Sequence, residues 1–155
     1  MATTLNADTV TGGFIATGDA SGDLALQAAG TTLVTLTGTK ALFEAGMAEE
    51  YEAVTSSAGA ASINLNNATN FSITLTENTT FTFSNPVASG RTSSFTLKVV
   101  QDSTDRTITW PASVDWPSAT APTISSGSGA VDYFVFITHD AGTTYYGFTA
   151  GQALG

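Results

Sequence analysis

The chain has 155 residues, enough for one domain of ordinary size with a short appendage, and it contains no cysteine, so neither disulfides nor thiolate metal sites are available. Only 11% of the residues are charged, yet 13 acids against 4 bases leave a formal net charge of −9. That balance offers no counter-charge to phosphate backbones or anionic lipid, which disfavours nucleic-acid and membrane-surface partners, and no apolar run approaches the ~18 residues of a membrane span.

A surface so short of charge has to be built from Thr, Ser, Asn and Gly. The opening stretch Met1–Asp8 lacks the basic and apolar regions of a secretory signal, which predicts that the protein does not leave a cell by that route.

Composition changes near residue 46. Residues 1–46 intersperse glycines (among them Gly12, Gly13, Gly18, Gly22, Gly30, Gly38 and Gly46) with short apolar pieces containing Phe14, Ile15, Leu24, Leu26, Leu33, Val34 and Leu36. The spacing of Leu24 and Leu26 and the run Thr31–Thr37 fit strands, but each piece is only a few residues long. Glycine at this frequency loses backbone entropy and offers no side chain to pack. An extended arm over 1–46 is therefore expected, ordered only against another copy or another protein, with those seven apolar residues as its contacts.

From residue 47 onward the strand pattern strengthens. Loose alternation at Glu50–Thr55 precedes clean alternation at Ser62–Asn66 and at Asn70–Thr76. Thr80–Ser84 then reads as the return arm of a hairpin after Glu77-Asn78. Asn85-Pro86 and Ser89-Gly90 mark a loop. Ser94–Val99 and Thr107–Trp110 are strands on either side of a polar turn at Asp102–Asp105. Residues 111–130 hold Pro111, Pro117 and Pro122, predicting a long connection with at most a short edge strand at Thr123–Ser125. Val131–Thr138 is apolar on both faces, which places it centrally in a sheet. It is followed by a hairpin loop at His139–Thr143, with Gly142 supplying a positive φ, and a closing strand from Thr144.

No segment keeps a helical period over two turns; the best helical candidate, Lys40–Tyr51, is short and contains Gly46. The expected fold is all-β, an antiparallel β-sandwich or β-roll over 47–155 behind the extended arm.

Chemistry-bearing residues are sparse. His139, the one histidine, lies beside Asp140 in the hairpin loop, where an exposed polar role is the ordinary one. A nucleophile–base–acid triad would need two more positioned groups, and no Gly-x-Ser-x-Gly elbow occurs. Gly18–Asp23 loosely resembles an Asp-rich calcium loop but lacks the acid that would close it, so a polar turn is the simpler reading.

Glu44, Glu49, Glu50 and Glu52 are the densest acid cluster, read as a solvated or edge-guarding face rather than an acid/base pair. Asn67, Asn70 and Asn78 open glycosylation sequons without an export signal to give them meaning. Trp110-Pro111 and Trp116-Pro117 fit either a sugar-stacking platform or, more simply, a brace for the long loop. No catalytic, cofactor or metal site is expected.

Three runs, Leu75–Pro86, Phe95–Asp102 and Ile108–Pro117, together with the ending Val131–Gly151, resemble a module of bacteriophage virion proteins, of the kind found in tail-fibre-like and particle-surface proteins of marine phages. Gly22–Thr32 is similar, less specifically, to phage fibre repeats.

The resemblance implies a non-enzymatic structural role on the virion surface, with the chain made in the host cytoplasm. The short length without a shaft favours a capsid decoration (cement) protein that joins neighbouring subunits of the major capsid protein on the capsid exterior, and the resemblance implies that it is a homotrimer. The alternative is a short tail fibre or adhesin that contacts tail proteins and binds a host glycan. A polysaccharide-acting enzyme is the distant third reading.

Overall fold

In the computed structural model the described residues are 24–154, and they form twelve strands and one 3-10 turn. No α-helix occurs among them. The chain separates into two units, with the boundary between Ala48 and Glu49.

The first unit carries β1 (Leu24–Ala28), β2 (Thr31–Leu36) and β3 (Ala41–Phe43), paired antiparallel in that order. This is a three-stranded meander, where the sequence pattern predicted an extended arm. The difference has a local cause: the described glycines fall in connections rather than in strands. Ala29 and Gly30 both take positive φ (51° and 77°), the two-residue turn that suits a tight hairpin. At the second turn the Thr37 hydroxyl accepts hydrogen bonds from the N–H groups of Lys40 (3.1 Å) and Thr39 (3.3 Å). The helical candidate at Lys40–Tyr51 contains β3 instead.

The second unit contains β4 (Tyr51–Val54), β5 (Ala60–Asn64), β6 (Asn70–Leu75), β7 (Thr79–Ser84), β8 (Ser93–Gln101), β9 (Ile108–Thr109), β10 (Val114–Asp115), β11 (Val131–Thr138) and β12 (Tyr145–Leu154). They make a six-stranded sheet of order β10-β12-β11-β8-β6-β4 and a three-stranded sheet of order β5-β7-β9. The protein is all-β, and its second unit is sandwich-like, with one core between the two sheets.

The expected antiparallel arrangement is corrected in part. From β4 to β10 consecutive strands alternate between the two sheets, so the backbone coils around the core. After each full turn the chain re-enters a sheet in the same direction. Thus β4, β6 and β8 are mutually parallel in the large sheet, and β5, β7 and β9 in the small one. Within the second unit only the ladders β8–β11 and β11–β12 are antiparallel; this last pair is a hairpin inserted between β8 and β10.

The expected hairpin between Asn70–Leu75 and Thr80–Ser84 is accordingly not formed: β6 and β7 lie in different sheets. The β7 backbone is paired along β5 on one side, and on the other the Thr79 N–H donates to the Thr107 carbonyl beside β9 at 2.9 Å. Alternation shows that one face of a strand is buried and is silent on which strand lies beside it.

The core draws from both sheets: Ile63 and Phe81 from the small one, Phe71, Ile73, Leu75, Phe95, Leu97, Val99, Phe134, Phe136 and Tyr145 from the large one. Phe95 stacks on Phe136 at 4.9 Å between ring centroids, and Phe83 meets both edge-on at 5.0 Å. Val131–Thr138 is internal to its sheet, as its two apolar faces require.

Gly147, at an inward position of β12, makes room for this packing. A Cβ there would lie 2.8 Å from Trp116 Cζ3 and 2.9 Å from Val114 Cγ1. Gly147→Ala should therefore cost about 1–3 kcal/mol by overpacking, while Gly46→Ala, with open space around it, should leave the unfolding midpoint unchanged. Urea unfolding of the two variants checks this.

Candidate functional site

Five of the seven residues expected to carry association fall in the meander, and pairing sorts them. Leu24 lies opposite Leu36 and Leu26 opposite Val34, while Val34 and Leu36 face Phe43 and Ala41 across the next ladder. Directly opposed residues share a face. One face of the sheet therefore collects Leu24, Leu26, Val34, Leu36, Phe43 and Ala41. Leu33 is the unpaired residue of a bulge opposite Leu26 and Gln27. Phe14 and Ile15 lie outside the described residues, as does Gly18–Asp23.

Phe43 was missed because its three-residue strand lies outside the apolar pieces that the period-2 pattern marked in 1–46. Its signal was the apolar run Ala41-Leu42-Phe43 after a Thr-Gly-Thr turn.

None of the side chains described between Leu24 and Ala48 is buried. Leu26 is 46% exposed and Phe43 60%. A three-stranded sheet is stable when an apolar face is covered, and large apolar side chains gathered on an open face mark an interaction site.

The other sequence candidates have local roles. His139 is exposed, with its Nδ1 at 3.0 Å from the Thr92 hydroxyl. Asp140 does not orient it. Its carboxylate instead accepts hydrogen bonds from the Thr144 N–H (3.0 Å) and the Thr138 hydroxyl (2.9 Å), and the first of these chiefly holds its pKa below the usual carboxylate value. These bonds fix the turn through Ala141 and Gly142, both at positive φ.

Three of the acids in the cluster bond to neighbouring side chains rather than to one another. Glu44 accepts from Thr35, Glu49 from Thr69 and Asn70, and Glu52 from Asn67. The sequon residues Asn67 and Asn70 are engaged in those contacts, and Asn78 Oδ1 accepts the Thr107 N–H at 3.0 Å.

The two tryptophans act as braces. Trp116 is buried; Trp110 stacks on Phe81 at 5.5 Å and meets Trp116 and Phe134 edge-on at 5.3 and 5.0 Å.

A cleft of about 450 Å³ opens beside Trp110, between the Asp102–Thr107 turn and the segment 121–126, with Ile108, Ile124 and Arg106 in its wall. The Arg106 guanidinium is tied to Asp102 at 3.2 Å. Among the described residues no group of three or more His, Asp or Glu side chains is close enough to hold a metal ion.

The expected edge strand at Thr123–Ser125 has no ladder. Side chains take its backbone groups instead. Asp132 Oδ2 accepts the Ser125 N–H at 2.6 Å, and the Gln101 and Gln152 amides donate to the carbonyls of Ser125 and Thr123 at 3.2 and 2.6 Å.

Asp132 is buried, which opposes its ionised form. Hydrogen bonds from Ser125, Ala153 and Gln152 outweigh that burial and hold its pKa below the ordinary 3.8. A depressed folded-state pKa contributes stability that is present above the unfolded value and lost as pH falls through the folded one. Asp132→Asn should therefore lower stability at pH 7 by about 1.5–3 kcal/mol and flatten the loss of stability on acidification below about pH 4. Urea unfolding of both proteins from pH 7 to pH 2.5 measures it.

Comparison with known proteins adds no relative: no family model, no curated protein and no solved structure matches the chain.

Proposed function

We propose that this chain is a non-enzymatic structural protein of a bacteriophage particle, a capsid decoration protein whose N-terminal meander attaches it to the shell. The observation that supports the reading is the open apolar face of Leu24, Leu26, Val34, Leu36 and Phe43, on a sheet without one buried side chain among those described. Burying a side chain of this size contributes roughly 1.5–3 kcal/mol, so the face gains several-fold that amount when a neighbour covers it. The virion-module resemblance of Leu75–Gly151 names the kind of particle, and through it the homotrimer and the capsid exterior.

The second unit supplies a rigid, weakly charged body outside the shell. In this arrangement the meander is the clamp and the sandwich-like unit is the part that faces solvent. Attachment rests on apolar burial rather than on ion pairs, so it tolerates high salt.

The expected result is that the protein co-sediments with purified capsids of its own phage at 1 M NaCl. The double variant Leu26→Ser/Phe43→Ser should fold normally and lose that binding by at least roughly tenfold, as expected for two lost apolar contacts. His139→Ala should bind like the parent. Binding by the double variant equal to that of the parent would overturn the meander's role. Binding to host cells with none to capsids would favour the tail-fibre reading.

A further inference from the structure

The two outer faces of the second unit differ in chemistry. On the small sheet the outward residues of β5 and β7 are Ala60, Ser62, Asn64, Thr80, Thr82 and Ser84, a polar face that water covers well. On the large sheet the inward positions of β11, and Tyr145 and Gly147 of β12, are buried, and the outward positions opposite them, Tyr133, Val135, Ile137, Tyr146 and Phe148, are large and apolar.

Three rows of paired residues cross β12 and β11 on that side. Tyr146 pairs with Ile137, Phe148 with Val135, and Tyr133 closes the third row. Tyr146 and Phe148 are 45% and 46% exposed. Apolar side chains of this size side by side on a strand pair mark a contact surface rather than scattered exposure.

Charge on this patch is confined to two positions. Asp115 on β10 lies beside Tyr146 at one corner, and Lys98 on β8 lies beside Tyr133 at the opposite corner. The corners are symmetric in the ladder. Across the sheet the strands run β10, β12, β11, β8, and along it the row of Phe148 and Val135 lies midway between the other two. The line from Asp115 to Lys98 therefore crosses the patch at its centre, between Phe148 and Val135.

Among the described residues the one ion pair is Arg106–Asp102, so neither corner charge is matched within them. Glu49, the next acid towards the far side of the face, is bonded to Thr69 and Asn70.

We infer that this face pairs with the same face of a second copy, in a contact apart from any within a trimer, about a two-fold axis that passes between Phe148 and Val135. Such an axis, perpendicular to the Asp115–Lys98 diagonal, sets each Asp115 opposite the Lys98 of the other copy and packs the aromatic rows together. Self-complementarity of this kind is what an isologous contact requires.

A chain of net charge −9 repels its own copies over most of its surface; here the corner charges attract and the middle is apolar. The overlapping patch spans the four strands β10, β12, β11 and β8; at ~4.8 Å per strand by about 20 Å of strand length this gives on the order of 400 Å² per copy, or about 800 Å² in all, the size of a weak, transient contact. The inference does not depend on the meander or on the particle that carries the chain.

The absence of native cysteine makes a direct test available in the full-length protein. Phe148→Cys and Val135→Cys, beside the proposed axis, should each form an intermolecular disulfide on mild oxidation. Thr82→Cys, on the small sheet, should not. Adding Asp115→Lys or Lys98→Glu to Phe148→Cys should slow cross-linking by roughly tenfold through two like-charge contacts per pair, and combining both reversals should restore the rate.

No disulfide at either central position, cross-linking equal to that of Thr82→Cys, or no rescue by the double reversal would overturn the pairing. So would a monomeric second unit in sedimentation that binds a soluble glycan through Tyr146 and Phe148, since the face would then serve a sugar. Variants of Leu26 and Phe43 leave these outcomes unchanged, so failure of the shell-attachment reading is distinguishable.

Discussion

The second unit depends on one aromatic cluster held between two sheets. Phe71, Phe95, Phe134, Phe136 and Tyr145 reach it from the large sheet, Phe81 and Phe83 from the small one, and Trp110 and Trp116 from the segments that directly follow β9 and β10. Rings that meet edge-on and offset at about 5–6 Å gain from their quadrupoles as well as from burial. The small sheet has only three strands, all parallel, and β9 is two residues long. Such a sheet gains little from its own ladder, and contact with the rings of the large sheet is what holds it.

The coil of the backbone follows from that shared core. A strand with one apolar face can serve either sheet provided the face points inward, and short connections carry the chain from one sheet to the other. Where the coil ends, at the long segment after β10, ladder pairing gives out and buried polar side chains replace it. Gln101 and Asp132, both buried, take backbone groups of Arg106, Ser125 and Ala153. Satisfying those groups inside the protein avoids the desolvation cost of leaving them unpaired.

With so few charges, the surface is graded by apolarity rather than by field. The outer face of the small sheet is Thr, Ser and Asn and suits water. The meander face and the β11–β12 face are apolar and suit other protein. The low count of basic residues gives the rest of the surface little to attract nucleic acid.

Strand positions were legible from the sequence because burial of one face imposes period-2 alternation directly on the residue order. Asn70–Leu75 and Val131–Thr138 are bounded closely by their own patterns, and Gly142 announces its turn. The apolar residues of the meander were likewise visible as Leu24, Leu26, Val34 and Leu36. The absence of a helical period was enough to establish the all-β class.

Tertiary structure alone decided which strands are neighbours. Leu75 and Thr79 are three residues of connection apart yet belong to different sheets, because alternation constrains a side chain's face and not its partner strand. It alone brought Phe43 beside Val34, and Asp115 and Lys98 to opposite corners of one face. Those juxtapositions join residues on β10, β12, β11 and β8, and they exist only once the coil and the inserted hairpin have ordered the sheet.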